Sequence, residues 1–104
     1  MTRDDMMKEM KGRLVQAYGA RLHGLVLYGS EARGEAEPES DLDVLVLLGD
    51  EVHEPDDSWR CIRALYPLML EWERPIHAEP VDLRSYEAQE FPLYRNARRE
   101  GRQA

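Results

Sequence analysis

Residues 22–48 read LHGLVLYGSEARGEAEPESDLDVLVLL. The segment opens with a short β-compatible run, Leu22 to Tyr28, and closes with an almost continuous apolar run, Leu42 to Leu48, bounded by Asp41 and Gly49. A run of that kind suits a strand buried on both faces. Gly29-Ser30 ends the first strand, and the polar stretch Glu31 to Ser40, with Gly34 and Pro38 in it, reads as a loop or a short helical turn.

Working outward, Met6, Met7, Met10, Leu14 and Ala17 recur at spacings of three and four, one apolar stripe of a helix that Gly19 stops. On the other side, Val52 to Asp57 is polar. Trp59, Ile62, Leu65, Tyr66, Met69 and Leu70 then mark a helical stripe, and Pro67 inside it predicts a kink or a division. Cys61 falls on that stripe and reads as core packing. Pro75 to Leu83 reads as a third strand, placed at a sheet edge because Pro75 and Pro80 lack the N–H donor. Ser85 is a candidate cap for a following helical segment, and Pro92 opens a last helix containing Leu93, Tyr94 and Ala97. The order predicts a small α/β or α+β domain over residues 1–104, with a mixed sheet of three to four strands flanked by helices.

The chemistry concentrates in the connection between the two apolar runs. Asp41 and Asp43 sit two apart at a strand mouth, so their carboxylates project from one face with Cα atoms about 6.5–7 Å apart. At that distance both reach one hard cation, and Mg²⁺ commonly takes one or two carboxylates plus substrate phosphates. Gly29 removes side-chain bulk, and Ser30 offers a hydroxyl and an N–H to a phosphate. Adjacent strands bring this cradle beside the carboxylates, a site for a metal–nucleoside triphosphate. Each half alone has an ordinary explanation as a turn or a surface pair; their order and spacing together do not.

Composition narrows the classes. The 104 residues are 42% hydrophobic and 34% charged, which is globular, and a chain of this length buries roughly 65% of its extended surface. No apolar run approaches the roughly 20 residues of a membrane span. The Met-Thr-Arg-Asp-Asp start is unlike a signal peptide, and the single cysteine excludes an internal disulfide, so a soluble cytoplasmic protein is expected. The net charge of −7 opposes non-specific nucleic-acid binding. Acids crowd Glu31 to Asp57, with Arg33 the sole Lys or Arg there, whereas Arg95, Arg98, Arg99 and Arg102 follow Pro92. Such charge runs are usually solvated faces.

Leu27-Tyr28-Gly29-Ser30-Glu31-Ala32-Arg33-Gly34 with Ser40-Asp41-Leu42-Asp43-Val44-Leu45-Val46 resembles the signature of the minimal nucleotidyltransferases of the DNA polymerase β-like superfamily. The resemblance covers essentially the whole chain. It implies that Gly29 and Ser30 hold the triphosphate, that Asp41 and Asp43 bind Mg²⁺ or Mn²⁺, and that a nucleoside monophosphate, AMP from ATP, passes to a hydroxyl with release of pyrophosphate. It asks for a third carboxylate as well. Glu79, on the third predicted strand, ranks slightly ahead of Asp82 as a catalytic and metal-binding candidate, with Glu73 third. Arg33 either touches phosphate or anchors the motif turn, and Ser40 either orients Asp41 or caps the strand entrance; structure is favoured for both. His77 shares parity with Glu79 but reads as an ordinary half-buried residue. The resemblance also implies an acceptor-bearing partner of the helical HEPN type, with this chain as the antitoxin, or a homo-oligomer. The alternative is a catalytically degenerate module of the same fold that neutralises a partner by contact. A transferase acting on a small molecule such as an aminoglycoside ranks lower, because such enzymes carry extra domains.

Overall fold

The two apolar runs pair with each other. In the computed structural model, which describes residues 1–37 and 40–104, strand β1 (Leu22–Tyr28) lies antiparallel to β2 (Leu42–Leu48), with Tyr28 opposite Asp43 and Val26 opposite Leu45. The part of the expected loop at residues 38 and 39 lies outside the described residues. β2 pairs on its other side with β3 (Ile76–Asp82) in parallel, so the connection must cross over, and helix α2 (Asp56–Trp72) supplies the crossover. β3 is an edge strand, which suits Pro80 within it and Pro75 just before it. The other edge is β4 (Arg102–Gln103), antiparallel to β1, giving the order β3-β2-β1-β4.

Each face of the sheet has its own apolar layer. Leu25, Leu27, Leu42, Val44, Val46 and Leu48 pack under α2 and helix α1 (Arg3–Tyr18), which contributes Met6, Met7, Met10 and Leu14. The opposite parity, Val26, Leu45, Leu47 and Val81, is covered by Tyr86 of α3 (Leu83–Glu87) and by Tyr94 and Ala97 of α4 (Pro92–Glu100). Every residue of β2 except Asp43 is buried.

Two expectations need correction, and the one at Pro67 is narrowed. The cap of α3 is Asp82, whose carboxylate accepts from the Arg84 N–H at 2.8 Å, and Ser85 lies inside the helix. α2 runs through Pro67 without division; the ring stands on the exposed side, so the Arg63 carbonyl it leaves without an amide can turn to water. The stripe read as the core face of α2 is also only partly so. Asp57, Cys61, Leu65 and Leu68 point inward, while Trp59, Ile62, Tyr66 and Leu70 are exposed.

Candidate active site

The site forms where β1 ends beside the start of β2. Gly29 turns the chain with φ +77°, and a Cβ there would lie 2.7 Å from Asp43 Oδ2, so any side chain would collide with the carboxylate. The turn that follows is closed by Arg33 N–H to the Gly29 carbonyl at 3.2 Å and Glu35 N–H to the Ser30 carbonyl at 2.9 Å. Ala32 is buried in the core under α1 and pins the turn from below. Gly34, at φ +74°, supplies the second left-handed position that the turn needs.

Asp43 is half-buried on the sheet face covered by α3 and α4, in register with Tyr28 on one side and His77 on the other. Burial pushes its carboxyl above the usual range; His77 lowers it and the like charge of Asp41 raises it. Asp41 is exposed just before β2, and its Oδ2 lies 2.7 Å from His77 Nε2. His77 is therefore at the site and 64% exposed, not half-buried and incidental. Glu79 follows on the same face of β3, beside Leu45, with its charge near the Tyr28 and Tyr94 hydroxyls, both of which burial pushes up.

Other candidates fall elsewhere. Asp82 pairs in register with Leu48, at the opposite end of the sheet from Asp43, where its carboxylate is spent on the α3 cap. Glu73 is the αL C-cap of α2. Arg33 points to Glu35 at 3.2 Å and Glu100 at 3.7 Å, fastening the motif turn to α4. The Ser40 hydroxyl accepts from the Glu37 N–H at 3.0 Å, a loop contact.

Two residues that the motif did not single out shape the site. Tyr28, inside the motif but given no role there, stands across from Asp43 on the β1 side. Arg74 is buried, and its guanidinium donates to the Ser40 carbonyl at 2.8 Å while lying 3.5 Å from Glu31. It thus ties the start of one motif segment to the end of the other, with Arg3 bonded to the Glu31 and Ala32 carbonyls alongside. A lone arginine between a helix and a proline carries no periodic signal.

Asp41 and Asp43 present oxygen donors beside the Gly29 recess, the kind of ligand a hard cation takes together with substrate phosphates. Among the described residues, no group of three His, Cys, Asp or Glu side chains is drawn together tightly enough to hold a metal by itself. No described helix is long and apolar enough to cross a membrane.

The sequence model of the family described as "Nucleotidyltransferase domain" matches residues 7–104. The search of curated proteins found no match. Among solved structures, a toxin–antitoxin crystallised with AMP-PNP is similar at 21% identity and TM-score 0.59, over 92% of this chain and 70% of that one. A mutant of the toxin–antitoxin pair MntA–HpeT is similar at 20% identity and TM-score 0.57, over 100% of this chain and 72% of that one.

Proposed function

From the premise that the chain belongs to the nucleotidyltransferase-domain family, whose sequence model matches residues 7–104, we propose that it transfers a nucleoside monophosphate, AMP from ATP, to a hydroxyl group of a partner protein. Its mixed four-stranded sheet flanked by helices is the polymerase β-like nucleotidyltransferase fold. One observation carries the reading. The vacant Cβ position of Gly29 abuts the Asp43 carboxylate at 2.7 Å, so a phosphate-binding turn and a metal-binding carboxylate share one small volume.

In this mechanism the Gly29-Ser30 turn receives the triphosphate through its backbone N–H groups and the Ser30 hydroxyl. Asp41 and Asp43, with Glu79 further along the same face, would hold Mg²⁺ or Mn²⁺, which when bound neutralises phosphate charge. The acceptor oxygen bonds to the α-phosphorus, the bond from that phosphorus to the bridging oxygen breaks, and pyrophosphate leaves. The hydroxyl proton passes to a carboxylate on this face, and Glu79 is assigned to take it. Most of the rate then comes from positioning and charge neutralisation. That both similar structures are toxin–antitoxin proteins supports a toxin as the partner, taken here as the acceptor, and an antitoxin role for this chain; the HEPN type of that partner comes from the motif resemblance alone. ATP as the donor places the reaction in the cytoplasm.

The test is transfer of label from ATP carrying it at the α-phosphate, with Mg²⁺ or Mn²⁺, in extract of the native host. Label on a protein with the wild type, lost with Asp41→Asn/Asp43→Asn, supports transfer, and the labelled mass identifies the acceptor. No label from folded wild type favours the second reading, a degenerate module that neutralises its partner by contact. That no three ligating side chains among the described residues are drawn together round one point is the observation behind that alternative; there the Asp→Asn pair keeps full partner affinity.

A further inference from the structure

The reaction proposed above uses the sheet face that carries Asp43 and leaves the outer side of α2 without a role. That side is apolar: Trp59 is 56% exposed, Ile62 40%, Tyr66 53% and Leu70 62%. At 3.6 residues per turn all four fall on one face, with Trp59, Tyr66 and Leu70 along its centre. Trp59 and Tyr66 each leave roughly 100 Å² in water, taking about 200 Å² for a whole ring. Contiguous apolar surface of this size marks an interaction site more often than a bare surface.

The flanks of the stripe say what it faces. On one side Ile62, with Ile76 and Ala78, lines a cleft of about 250 Å³ that rounds the β3 edge to Tyr28, His77 and Glu79. The stripe is therefore continuous with the acidic site. On the other side Arg60, Arg63 and Arg13 line a groove of about 370 Å³ between α1 and α2. Arg13 and Arg63 pair with no carboxylate among the described residues. In a chain of net charge −7 this is a local reversal of sign.

We propose that this face of α2 docks an acidic amphipathic helix belonging to the protein that receives the nucleotidyl group; the identification with the acceptor rests on the transferase reading. A groove between two helices takes the apolar ridge of a third, and the arginines beside it select carboxylates. A second copy of this chain fits less well. A two-fold axis through the middle of the stripe would bring Arg63 toward its own counterpart, a like-charge contact.

The full chain is titrated into two fluorescein-labelled model helices, one with a leucine face flanked by glutamates and one with lysines in their place, and anisotropy is followed. The glutamate helix is expected to bind at least ten-fold more tightly. Tyr66→Glu/Leu70→Glu is expected to weaken it at least ten-fold, and Arg13→Glu/Arg63→Glu to reverse the preference. All four residues are on the surface, so circular dichroism and melting should stay as in the wild type. Asp41→Asn/Asp43→Asn should leave helix binding unchanged. Equal affinity for both helices, or no response to the stripe variant, overturns the proposal. So does a concentration-dependent dimer in sedimentation velocity that the stripe variant dissolves, because it gives the face to a second copy. In the labelling assay the stripe variant is expected to lose at least ten-fold of the label on protein while still binding MgATP, and full label overturns the link to the acceptor. If the wild type gives no label at all, the transferase reading fails, and the helix titration decides the docking face by itself.

Discussion

Gly29 carries two constraints that a neighbouring glycine separates. Gly29 and Gly34 both hold φ near +75°, but a Cβ on Gly34 meets nothing within 4 Å, whereas one on Gly29 meets the Asp43 carboxylate. Gly34→Ala should therefore show backbone strain alone, about 1 kcal/mol, read as a melting temperature lower by about 4–8 °C with label transfer retained. Gly29→Ala should add displacement of Asp43 and lower transfer by roughly 100-fold, on the scale of misplacing a positioning group. Equal transfer by the two variants would remove Gly29 from the site. The motif glycine and the two aspartates were readable in the sequence because their spacing along two strands encodes their meeting. Tyr28 and Arg74 were not, since the one acts through cross-strand pairing and the other through a bridge between distant segments. His77 was undervalued for the same reason: parallel registry puts it beside Asp43, and registry is not written in one strand alone.

The strands were easier to read than α2. β2 is apolar at nearly every position because both its faces are covered. β4 was invisible, since a short basic segment acquires strand geometry only from β1 beside it. In α2, large apolar residues occupy more than half the circumference, so periodicity alone could not say which side faces the sheet. Burial gives the answer, and single substitutions should reproduce it. Leu65 is wholly buried, so Leu65→Ala is expected to cost about 2–5 kcal/mol in urea unfolding. Leu70, 62% exposed, should cost no more than about 0.5 kcal/mol on the same change. Cys61, on the buried side, lies 3.0 Å from the Tyr18 hydroxyl, and burial pushes its thiol up to about 11. Thiolate is the reactive form, so iodoacetamide at pH 8 should leave native protein essentially unmodified and label it on unfolding; rapid labelling of the native state would contradict the packing of α2.

Helices α1 and α2 and the end of β2 meet at one charged junction whose state should set the acid limit of the whole fold. Arg21, in the 3₁₀ turn after α1, forks onto Asp57 at 2.9 and 3.0 Å and also reaches Asp50 just beyond β2. Asp57 sits in the first turn of α2 and also accepts from the His53 N–H at 2.8 Å. One arginine thereby joins the end of α1, the end of β2 and the start of the crossover helix. The hydrogen bond to Arg21 holds the Asp57 carboxyl below its ordinary range, against the opposing effect of burial. A carboxyl whose folded value is depressed stabilises the protein above its unfolded value, about 3.9, and loses that contribution as pH falls through the folded value. Urea midpoints should thus be flat in Asp57 from pH 7 to about 5 and fall below about pH 4. Asp57→Asn should cost about 2–3 kcal/mol near neutrality, the range for a charged hydrogen bond, and its difference from wild type should shrink through the acid window. Arg21→Met removes the largest cause of that depression and leaves burial opposing the His53 contacts. Its midpoint is expected to lie below wild type near neutrality and to close on it below about pH 4, where wild type loses the Asp57 contribution. A parallel fall of all three proteins would show that the junction does not govern acid stability.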